Sequence, residues 1–430
     1  MPPEEKRSAP PTVPKSRRLV RLFITGMVCL HFLFFFKLLP RIERGYPDFI
    51  AFYTAGGALR CGLGHELYDQ GVQYEAQKRC ADFSLPRQGA LPYIHPPFEA
   101  LIFLPVTLLP YLQAFMLWDL LGLAGLFYVA CLLRRSVGAL RSIPAWELVL
   151  GSLAFFPVFA CLLQGQDSIL LLLLCTLGFN ALKRESHFLA GCWFALGAFK
   201  FQWVLPMVLL IAIWKMRRVA TGFFAVSLVL GLVSLGLAGW QNMLFYPTYV
   251  LHVVKSPSLG GVTSNLMPNL RGLILGWPWP FSRAIGNAAV VLASVALFLS
   301  AATRGSGGSK PQRLELQFSL AVIVSGLIGW HSNAHDLSLL ILPLVLLADY
   351  GLNRRAQEAG SGFALLFPAL PLLISPLWIV LWLYAGQVNL IAIPLLWWAW
   401  RIGKELSRDL HSAGGAQPSA SGLTTEGVSP

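Results

Sequence analysis

The sequence contains few charged residues: 12% of its 430 residues are charged, whereas 56% are hydrophobic. A soluble globular chain carries about 25% charged residues, so this composition excludes an ordinary soluble domain and indicates a membrane protein. The remaining charge is mostly basic, with a formal net charge of +13. The basic residues stand in short clusters between apolar runs, which is typical of cytoplasmic loops. We therefore expect membrane lipids as partners and no nucleic acid.

Cysteine motifs and protease-type metal motifs are also lacking. The seven cysteines form no CxxC pattern, and the chain has no HExxH motif, so a metal centre is not indicated. Cys61 and Cys80 share one polar loop, and a disulfide between them is left open. The first apolar run has no A-x-A-like cleavage site, which favours a retained first span over a cleaved signal peptide.

Apolar runs recur along the chain, and a span needs about 20 mostly apolar residues. About 12 runs qualify, at about 19–39, 113–133, 145–163, 168–182, 188–200, 202–214, 219–239, 284–303, 315–330, 337–350, 363–384 and 386–400. With the N-terminus in the cytoplasm, every Lys/Arg cluster between these runs falls inside. Every polar, weakly charged motif then falls outside. The sequence predicts an all-α, polytopic protein of the cell membrane with both termini cytoplasmic.

Three regions follow from this map. Residues 1–18 and 405–430 are predicted to be disordered, the latter because it is rich in Ser, Gly and Thr. Residues 19–404 form the transmembrane domain, with a long first external loop at about 40–112. The stretch PPFEALIFLPVTLLP in this loop is too short to span and is interrupted by Pro105 and Pro110. We expect it to lie on the outer leaflet as a membrane-surface helix.

A lone carboxylate, Asp48, stands directly after the first span in YPDFIAFYTAGGALRCG. Ionisable groups near membrane depth are costly and are usually functional. Asp48 could serve as a general base toward a hydroxyl. It could instead only cap the helix that begins at Phe49, because Asp is a favoured N-cap residue.

Further polar residues collect on the same predicted face of the membrane. They are Tyr53, Asp69, His95, Gln164, Gln166, Asp167, Lys200, Gln202, Asn265, Asn269, Arg271, His331, His335 and Asp336. Simpler roles stay open for several of them: Lys200 could snorkel to the surface, and the residues after the third span could satisfy a helix end. His331 and His335 share a helix face if the ninth span continues, a spacing that would suit a metal with Asp336 as third ligand.

Taken together, these residue types are typical of sugar transfer from a lipid-phosphate donor. Lys, Arg and His hold phosphates, amides bind sugar hydroxyls, and apolar walls suit a lipid tail. We expect the Asp48 carboxylate within about 10 Å of Lys200 or His335, which leaves room for substrate. A secondary transporter or lipid-linked-sugar flippase is the main alternative, but it predicts internal repeats and midplane polar groups. A polymerase or ligase of lipid-linked glycans would carry its longest external loop late in the chain.

The sequence resembles the polytopic GT-C glycosyltransferases and, within them, glycosyltransferase family 87, once a domain of unknown function. The matching stretches are DFIAFYTAGGALRCGLGHELYD, PYIHPPFEALIFLPVTLLP, QGQDSILLLLL, LAGCWFALGAFKFQWVLPMVLLI and HSNAHDLSLLILP, in family order across about 45–345. The resemblance implies a GT-C-like fold with surface helices in the first loop. It also implies an inverting hexosyltransferase, with mannose and a polyprenyl-phosphate donor favoured. His335 stands where the family more often has Tyr.

By the same resemblance, Asp48 is the catalytic base, and Lys200, Arg271 and a His hold the leaving phosphate. The acceptor is an envelope glycolipid or glycan on the external face. No cofactor is certain from these motifs: a divalent metal is possible but not favoured, and the lipid-phosphate sugar is the donor substrate. Sugar identity, acceptor, prenyl length and oligomeric state are not determined by the sequence.

Overall fold

The computed structural model describes residues 15–80, 89–214, 216–255, 263–277, 282–306, 311–355 and 362–414. Within these ranges the protein consists of helices without strands. The α-helices are α1 Lys15–Glu43, α2 Phe49–Arg60, α3 Gln70–Cys80, α4 Pro97–Phe103, α5 Tyr111–Ser136, α6 Ala145–Leu153, α7 Phe156–Gln164, α8 Ser168–Lys183, α9 His187–Leu196, α10 Phe201–Ile213, α11 Arg217–Lys255, α12 Leu270–Leu275, α13 Arg283–Gly305, α14 Pro311–Ile328, α15 Ile341–Arg355, α16 Ser375–Ile379 and α17 Ala392–Gly414.

Fewer helices cross the full bundle than the sequence predicts. In the described part of the chain, five helices are long and apolar enough to span a membrane. The number is up to eight if each of three bent helix pairs counts as one span. The pairs are α6 with α7, α9 with α10, and the segments 364–373 and 375–384. The prediction of about 12 spans is therefore not confirmed, because several runs of sufficient apolarity are broken into short helices.

The α9–α10 pair bends by 71° at residues 197–200. The backbone of Phe188 touches the position where Gly222 would carry a Cβ, so α9 begins beside the first turns of α11. Trp214 ends α10 only three residues before α11. Both ends of the pair thus lie on one side of the bundle, and its bend points to the other side. A pair bent in this way is either a broken span or a re-entrant loop, and its bend lies near the predicted turn at Lys200.

The bundle has two ends of different character. At one end, which we call the basic end, Lys183 donates to the Ser136 carbonyl at 2.7 Å and pairs with Glu315 at 3.0 Å. At the other end, which we call the site end, α8 begins next to Asp48 and Lys200. The 16 residues of α8 connect the two ends over about 24 Å. The Lys/Arg clusters and the polar motifs are therefore separated along the bundle, as the sequence predicts.

Several predicted boundaries are corrected by the structure. The run at 315–330 stops being helical at Ile328, and the run at 386–400 becomes α-helical only at Ala392. Pro368 and Pro371 turn the first half of the eleventh run into a 3₁₀ helix, because proline removes an α-helical hydrogen bond. Within the segments predicted to be disordered, residues 15–18 belong to α1 and residues 405–414 belong to α17. The remaining predicted disordered residues, 1–14 and 415–430, lie outside the described residues.

The first loop contains short helices that lie across the site end. The proline-interrupted stretch forms α4 and a 3₁₀ turn at Pro105–Leu108, so it does not span. Helix α2 packs directly on α4: a Cβ on Gly56 would stand 2.9 Å from the backbone of Phe103. Cys61 and Cys80 are both free thiols. The small residues after Asp48 thus allow the first-loop helices to form a tight cover.

Candidate active site

Asp48 occupies the N-cap position of α2 but its side chain makes no capping hydrogen bond. Its carboxylate instead accepts a hydrogen bond from the Gln166 side-chain amide at 2.8 Å. The Asp48 backbone N–H donates to Gln164 Oε1 at 3.2 Å. The residue is half-buried and lines a cavity. The Asp48 side chain therefore does not cap α2. Its carboxylate is held by a residue that follows α7.

A left-handed turn at Gly165 places these residues beside Asp48. Gly165 has φ 59° and ends α7, a conformation that glycine adopts without steric cost. A Cβ at this position would lie 2.6 Å from the Phe49 Cβ. The glycine thus allows the turn between α7 and α8 to approach the first residues of α2.

Lys200 is the centre of a buried ion-pair network. Its ammonium lies 2.7 Å from Asp167 Oδ1 and contacts Asp336 Oδ1. It also donates to Ser168 Oγ at 2.7 Å and approaches Gln166 Oε1 at 3.4 Å. The side chain is only 3% exposed, so it does not snorkel. An ammonium has three N–H donors, and these contacts use all of them. The ammonium is thus engaged by the side chains around it, and its predicted contact with a phosphate stays a prediction.

The segment after α14 supplies Asp336 from a non-helical connection. Asn333 N–H donates to Asp336 Oδ2 at 2.8 Å, which closes a capping box at the start of the 3₁₀ helix Ala334–Leu340. Because α14 ends at Ile328, His331 and His335 do not share one helix face. The metal site suggested by their spacing is thus not formed on a continuous helix. His331 and His335 nevertheless both line the cavity.

A second chain of polar groups joins this network through a residue that the sequence analysis missed. His95 Nδ1 lies 2.8 Å from Glu99 Oε2 and 3.9 Å from Asp167 Oδ2. Burial, reinforced by the Asp167 charge, raises the pKa of Glu99 well above its usual value. Burial lowers the pKa of His95 to about 4. The Lys200 charge and a hydrogen bond from Glu99 keep the pKa of Asp167 low in spite of its burial. Burial therefore favours the neutral forms of Glu99 and His95, whereas the Lys200 charge favours the ionised form of Asp167.

His95, Glu99 and Asp167 are also the residues that, within the described chain, come closest to a metal-ligand set, with ligand atoms within 4.8 Å of one another. The 2.8 Å separation of His95 and Glu99 is a hydrogen-bond distance. Two ligands of one ion at about 2.1 Å from the metal stand farther apart than this. An ion here would require His95 and Glu99 to move apart. However, His95 Nδ1, Glu99 Oε1 and both Asp167 carboxylate oxygens are buried, and beyond their ion-pair contacts they have no hydrogen-bond partner among the described residues, so the trio is compatible with an ion as well as with a polar network.

The cavity at the site end has a volume of about 160 Å³. It combines polar groups with apolar walls from α11 and the residues before α4. Its lining includes Asp48, Phe52, Leu91, Ile94, His95, Gln166, Lys200, Gln202, Val250, Val253, Trp330, His331, Asn333, His335 and Asp336. Of the predicted site residues, eight thus meet at one cavity: Asp48, His95, Gln166, Lys200, Gln202, His331, His335 and Asp336.

The other predicted residues lie behind or away from this cavity. Tyr53 donates to the Leu109 carbonyl at 2.8 Å and packs among aromatic rings. Asp69 is exposed and accepts a hydrogen bond from the Val72 backbone at 2.9 Å, at the start of α3. Asn269 caps α12 and donates to the Gly329 carbonyl at 2.7 Å. Asn265, in the 3₁₀ turn Ser264–Leu266, is outside the lining. These four residues do not line the cavity, and their predicted contacts to substrate stay predictions.

Gln164 and Asp167 support the cavity from behind, and Arg271 stands at its edge. The Arg271 guanidinium lies 4.6 Å from the centre of the Trp330 ring and donates to the Trp330 carbonyl at 3.2 Å. Several buried polar atoms here have no hydrogen-bond partner among the described residues: Arg271 Nε, Trp330 Nε1, His331 Nδ1 and Ser332 Oγ. Unsatisfied buried donors are rare in proteins. Beside the cavity, these donors are placed to bind an anionic group or water.

The arrangement combines a carboxylate at a cavity, an apolar wall and a group of unpaired donors. The carboxylate can accept a proton from a hydroxyl, and the donors can bind an anionic oxygen. Ser168 and Glu99 were missed by the sequence analysis. The only signal for Glu99 was its position four residues after His95, within a stretch interpreted as a membrane-surface helix.

The sequence matches the family model described as glycosyltransferase family 87 over residues 93–329. This match covers just over half of the chain. It includes His95, Gln166, Lys200 and Arg271, whereas Asp48 lies before the matched region. No curated protein and no solved structure matches the chain.

Proposed function

The chain belongs to glycosyltransferase family 87 and is a membrane glycosyltransferase, and from this premise we propose its reaction. The enzyme transfers a hexose, preferably mannose, from a polyprenyl-phosphate donor to an envelope glycolipid or glycan on the external face. Asp48 acts as general base and the anomeric configuration is inverted. The observation that carries the proposal is the Asp48 carboxylate at the cavity, oriented by the Gln166 amide at 2.8 Å.

The reaction is a single displacement. The acceptor hydroxyl oxygen attacks the anomeric carbon from the side opposite the lipid phosphate, and Asp48 takes the hydroxyl proton. The bond between the anomeric carbon and the phosphate oxygen breaks, and the lipid phosphate leaves with the electron pair. One displacement inverts the anomeric centre. The hydrogen bond from Gln166 leaves the other carboxylate oxygen of Asp48 free to face the acceptor.

The leaving phosphate is bound at the Trp330 edge of the cavity. The unpaired donors of Arg271, His331 and Ser332 support this location, because guanidinium and N–H groups aimed at a developing charge lower the barrier. Burial lowers the pKa of His331 to about 4, so it donates as a neutral imidazole. Lys200 acts indirectly: it holds Gln166 and the two carboxylates in place. The prenyl chain lies along Val250 and Val253 of α11.

We propose that transfer needs no metal ion. His95 Nδ1 and Glu99 Oε2 lie closer together than two ligands of one ion do, and the donors at the cavity edge can neutralise the phosphate. Transfer in excess EDTA should equal transfer in its absence. Loss of activity in EDTA, restored by a divalent metal, would instead assign an ion to His95, Glu99 and Asp167.

The proposed reaction is tested with purified protein in detergent, radiolabelled polyprenyl-phosphate-mannose and a lipid extract of the source cells. We expect label in a new glycolipid with inverted configuration. Asp48→Asn should lower the rate at least about 100-fold, because a general base contributes about 10²–10⁴-fold. Asp69→Asn is the matched control in the same loop, and should keep its rate because Asp69 only begins α3.

Two results would count against parts of the proposal. Full activity of Asp48→Asn would remove Asp48 as the base. Transfer only from another lipid-linked hexose would change the donor sugar but keep the mechanism. Thermal unfolding of both variants verifies that any loss is not due to misfolding.

A further inference from the structure

A second cavity lies at the basic end of the bundle, far from the candidate active site. Its volume is about 630 Å³, against about 160 Å³ at the site end. It is bordered by α1, α6, α15 and the 3₁₀ segment Gly362–Leu373. The lining is mainly apolar and includes Val20, Ile24, Trp146, Leu148, Gly151, Phe155, Ile341, Leu344, Val345 and Leu373, with Arg17, Arg21 and Glu147 at one edge.

The cavity exists because α1 is attached to its neighbours at two separate points. Near its start, Arg21 pairs with Glu147 at 2.5 Å and Arg17 approaches the same carboxylate at 3.4 Å. Farther along, His31 contacts the Leu153 carbonyl at 2.8 Å and stacks on Phe159. Between these contacts, about 15 Å apart along the helix, the two helices separate. The 77° bend between α6 and α7 widens this space.

Helix α1 contributes little to the protein core. Only 6% of its most apolar window is buried in the protein, so most of its surface faces lipid. A large apolar cavity beside such a helix can be entered by lipid acyl chains from the membrane, because no side chain of the described residues fills it. Trp146, which is 55% exposed at this cavity, is a residue type enriched where acyl chains meet head groups.

The edge of the cavity carries positive charge. The side chains of Arg17 and Arg21 are 45% and 43% exposed, whereas Glu147 is 15% exposed. Two guanidinium groups therefore share one carboxylate and retain donors that face outward. A guanidinium binds a phosphate through paired hydrogen bonds. The charge of this edge is complementary to an anionic lipid head group, and the space below it accommodates an acyl chain.

We propose that this cavity binds one anionic phospholipid, with an acyl chain between α1 and α6 and its phosphate on Arg17 and Arg21. The ligand comes from the leaflet at the basic end, where anionic head groups concentrate if that end is cytoplasmic. The site is independent of the sugar donor, because the two cavities lie at opposite ends of the bundle. It fixes the free side of α1, the helix that leads into Asp48.

The experiment is native mass spectrometry of the purified full chain in detergent, titrated with dioleoylphosphatidylglycerol and, separately, with dioleoylphosphatidylcholine. We expect one tightly retained phosphatidylglycerol, preferred about tenfold over phosphatidylcholine, since charge-assisted hydrogen bonds to the phosphate region favour the net-anionic lipid by about that factor. Inorganic phosphate at high concentration should not displace it, because the acyl chain contributes most of the binding.

Gly151→Leu tests the apolar part of the site. A Cβ at Gly151 meets no atom within 4 Å, so the leucine fills the cavity without a clash. We expect the retained lipid to decrease at least about fivefold, since one buried leucine volume replaces part of the acyl chain. Gly26→Leu is the matched control: it lies on α1, also has nothing within 4 Å, and is outside the cavity.

Arg21→Gln tests the head-group part. We expect the tenfold preference for phosphatidylglycerol to fall to about twofold or less, while total lipid binding persists. Arg18→Gln is the control, because Arg18 is exposed on the same turn but is not part of the lining. Equal retention by wild type and Gly151→Leu would overturn the site. Equal binding of the two lipids by wild type would overturn the anionic specificity, and displacement by phosphate alone would indicate an ion site instead.

Discussion

At the scale of single residues, Gln166 connects the two ionised parts of the candidate site. Its amide nitrogen donates to Asp48 and its amide oxygen faces Lys200. The Gln166 amide therefore has one favourable orientation. If it were flipped, its oxygen would face the Asp48 carboxylate and its nitrogen would face the Lys200 ammonium.

Sequence reasoning identified Asp48, Gln166, Lys200 and Asp336, since each is a polar residue next to the end of an apolar run. It missed Glu99 because an acid inside PPFEALIFLP resembles the polar side of a surface helix.

Gln166→Glu should reduce transfer strongly, because the new carboxylate cannot donate to Asp48 and repels it. The loss of a hydrogen bond to a charged group costs about 1.5–3 kcal/mol, so we expect a decrease in kcat/KM of about 10- to 150-fold. Gln164→Glu is the matched control: Gln164 only accepts from the Asp48 backbone, which a glutamate also does. Equal rates for the two variants would contradict the orienting role of Gln166.

The neutral state of Glu99 predicts a pH dependence of stability. Its pKa is raised in the folded protein, so the folded state retains a proton that the unfolded state has lost above about pH 5. The free energy of unfolding therefore decreases as the pH rises toward 8. Glu99→Gln imitates the protonated acid and removes this decrease.

Thermal unfolding of wild type and Glu99→Gln at pH 5 and pH 8 measures the effect. The two proteins should be similarly stable at pH 5, and the variant more stable at pH 8. Protonation of His95 and His331 changes the stability of both proteins alike. The difference in stability between wild type and Glu99→Gln therefore reports the ionisation of Glu99. A parallel loss of stability in both proteins would mean that Glu99 is ionised in the fold.

At the scale of elements, short helices and their breaks position the site more than the long helices do. The turn at Gly165, the bend before α10 and the capped start of the Ala334 helix each bring one polar group to the cavity. Sequence patterns located these polar motifs correctly at the ends of apolar runs. They could not show that α9 and α10 form one sharply bent pair, because apolarity does not distinguish a short buried helix from a span. They also placed the end of the ninth run at about residue 330, whereas α14 ends at Ile328.

Gly165→Ala should destabilise the protein and impair transfer. The alanine Cβ would meet Phe49 Cβ at 2.6 Å in addition to the strain of positive φ. Gly386 has the same φ of 59° but no atom within 4 Å, so Gly386→Ala reports the strain alone, about 1 kcal/mol. We expect a clearly larger decrease in unfolding temperature, and loss of transfer, for the Gly165 variant alone. Equal unfolding temperatures and equal transfer rates for Gly165→Ala and Gly386→Ala would show that the turn at Gly165 does not pack closely against α2.

At the scale of the whole molecule, the basic residues and the site residues occupy opposite ends of the bundle. This separation was predictable from the sequence, because charge patterns report sidedness even where the number of spans is misjudged. The lipid cavity was not predictable, since it depends on the angle between α1 and α6. The pairing of residues distant in sequence, such as Asp48 with Gln166 or Lys200 with Asp336, likewise requires the fold.

Sidedness itself can be measured with a native thiol. Cys61 is exposed in the first loop, which we expect outside the cell. A membrane-impermeant maleimide should label intact spheroplasts, and Cys61→Ser should abolish most of the label. Arg141→Cys, in the Cys61→Ser background, should react only after permeabilisation, because residue 141 lies at the basic end. Labelling of Arg141→Cys in intact cells would invert the proposed orientation.

The ion pair between Lys200 and Asp336 can form only late in biosynthesis, because Asp336 is synthesised long after Asp48. Asp48 leaves the ribosome 288 residues before Asp336, a delay of roughly 15 to 60 s at ordinary elongation rates. Until Asp336 is inserted, the Lys200 ammonium lacks one of its two carboxylates, and the network that holds Gln166 is incomplete. We therefore expect a nascent chain with the base already in the membrane to be inactive. Sugar transfer would begin only after Asp336, more than three quarters of the way along the chain, has been integrated.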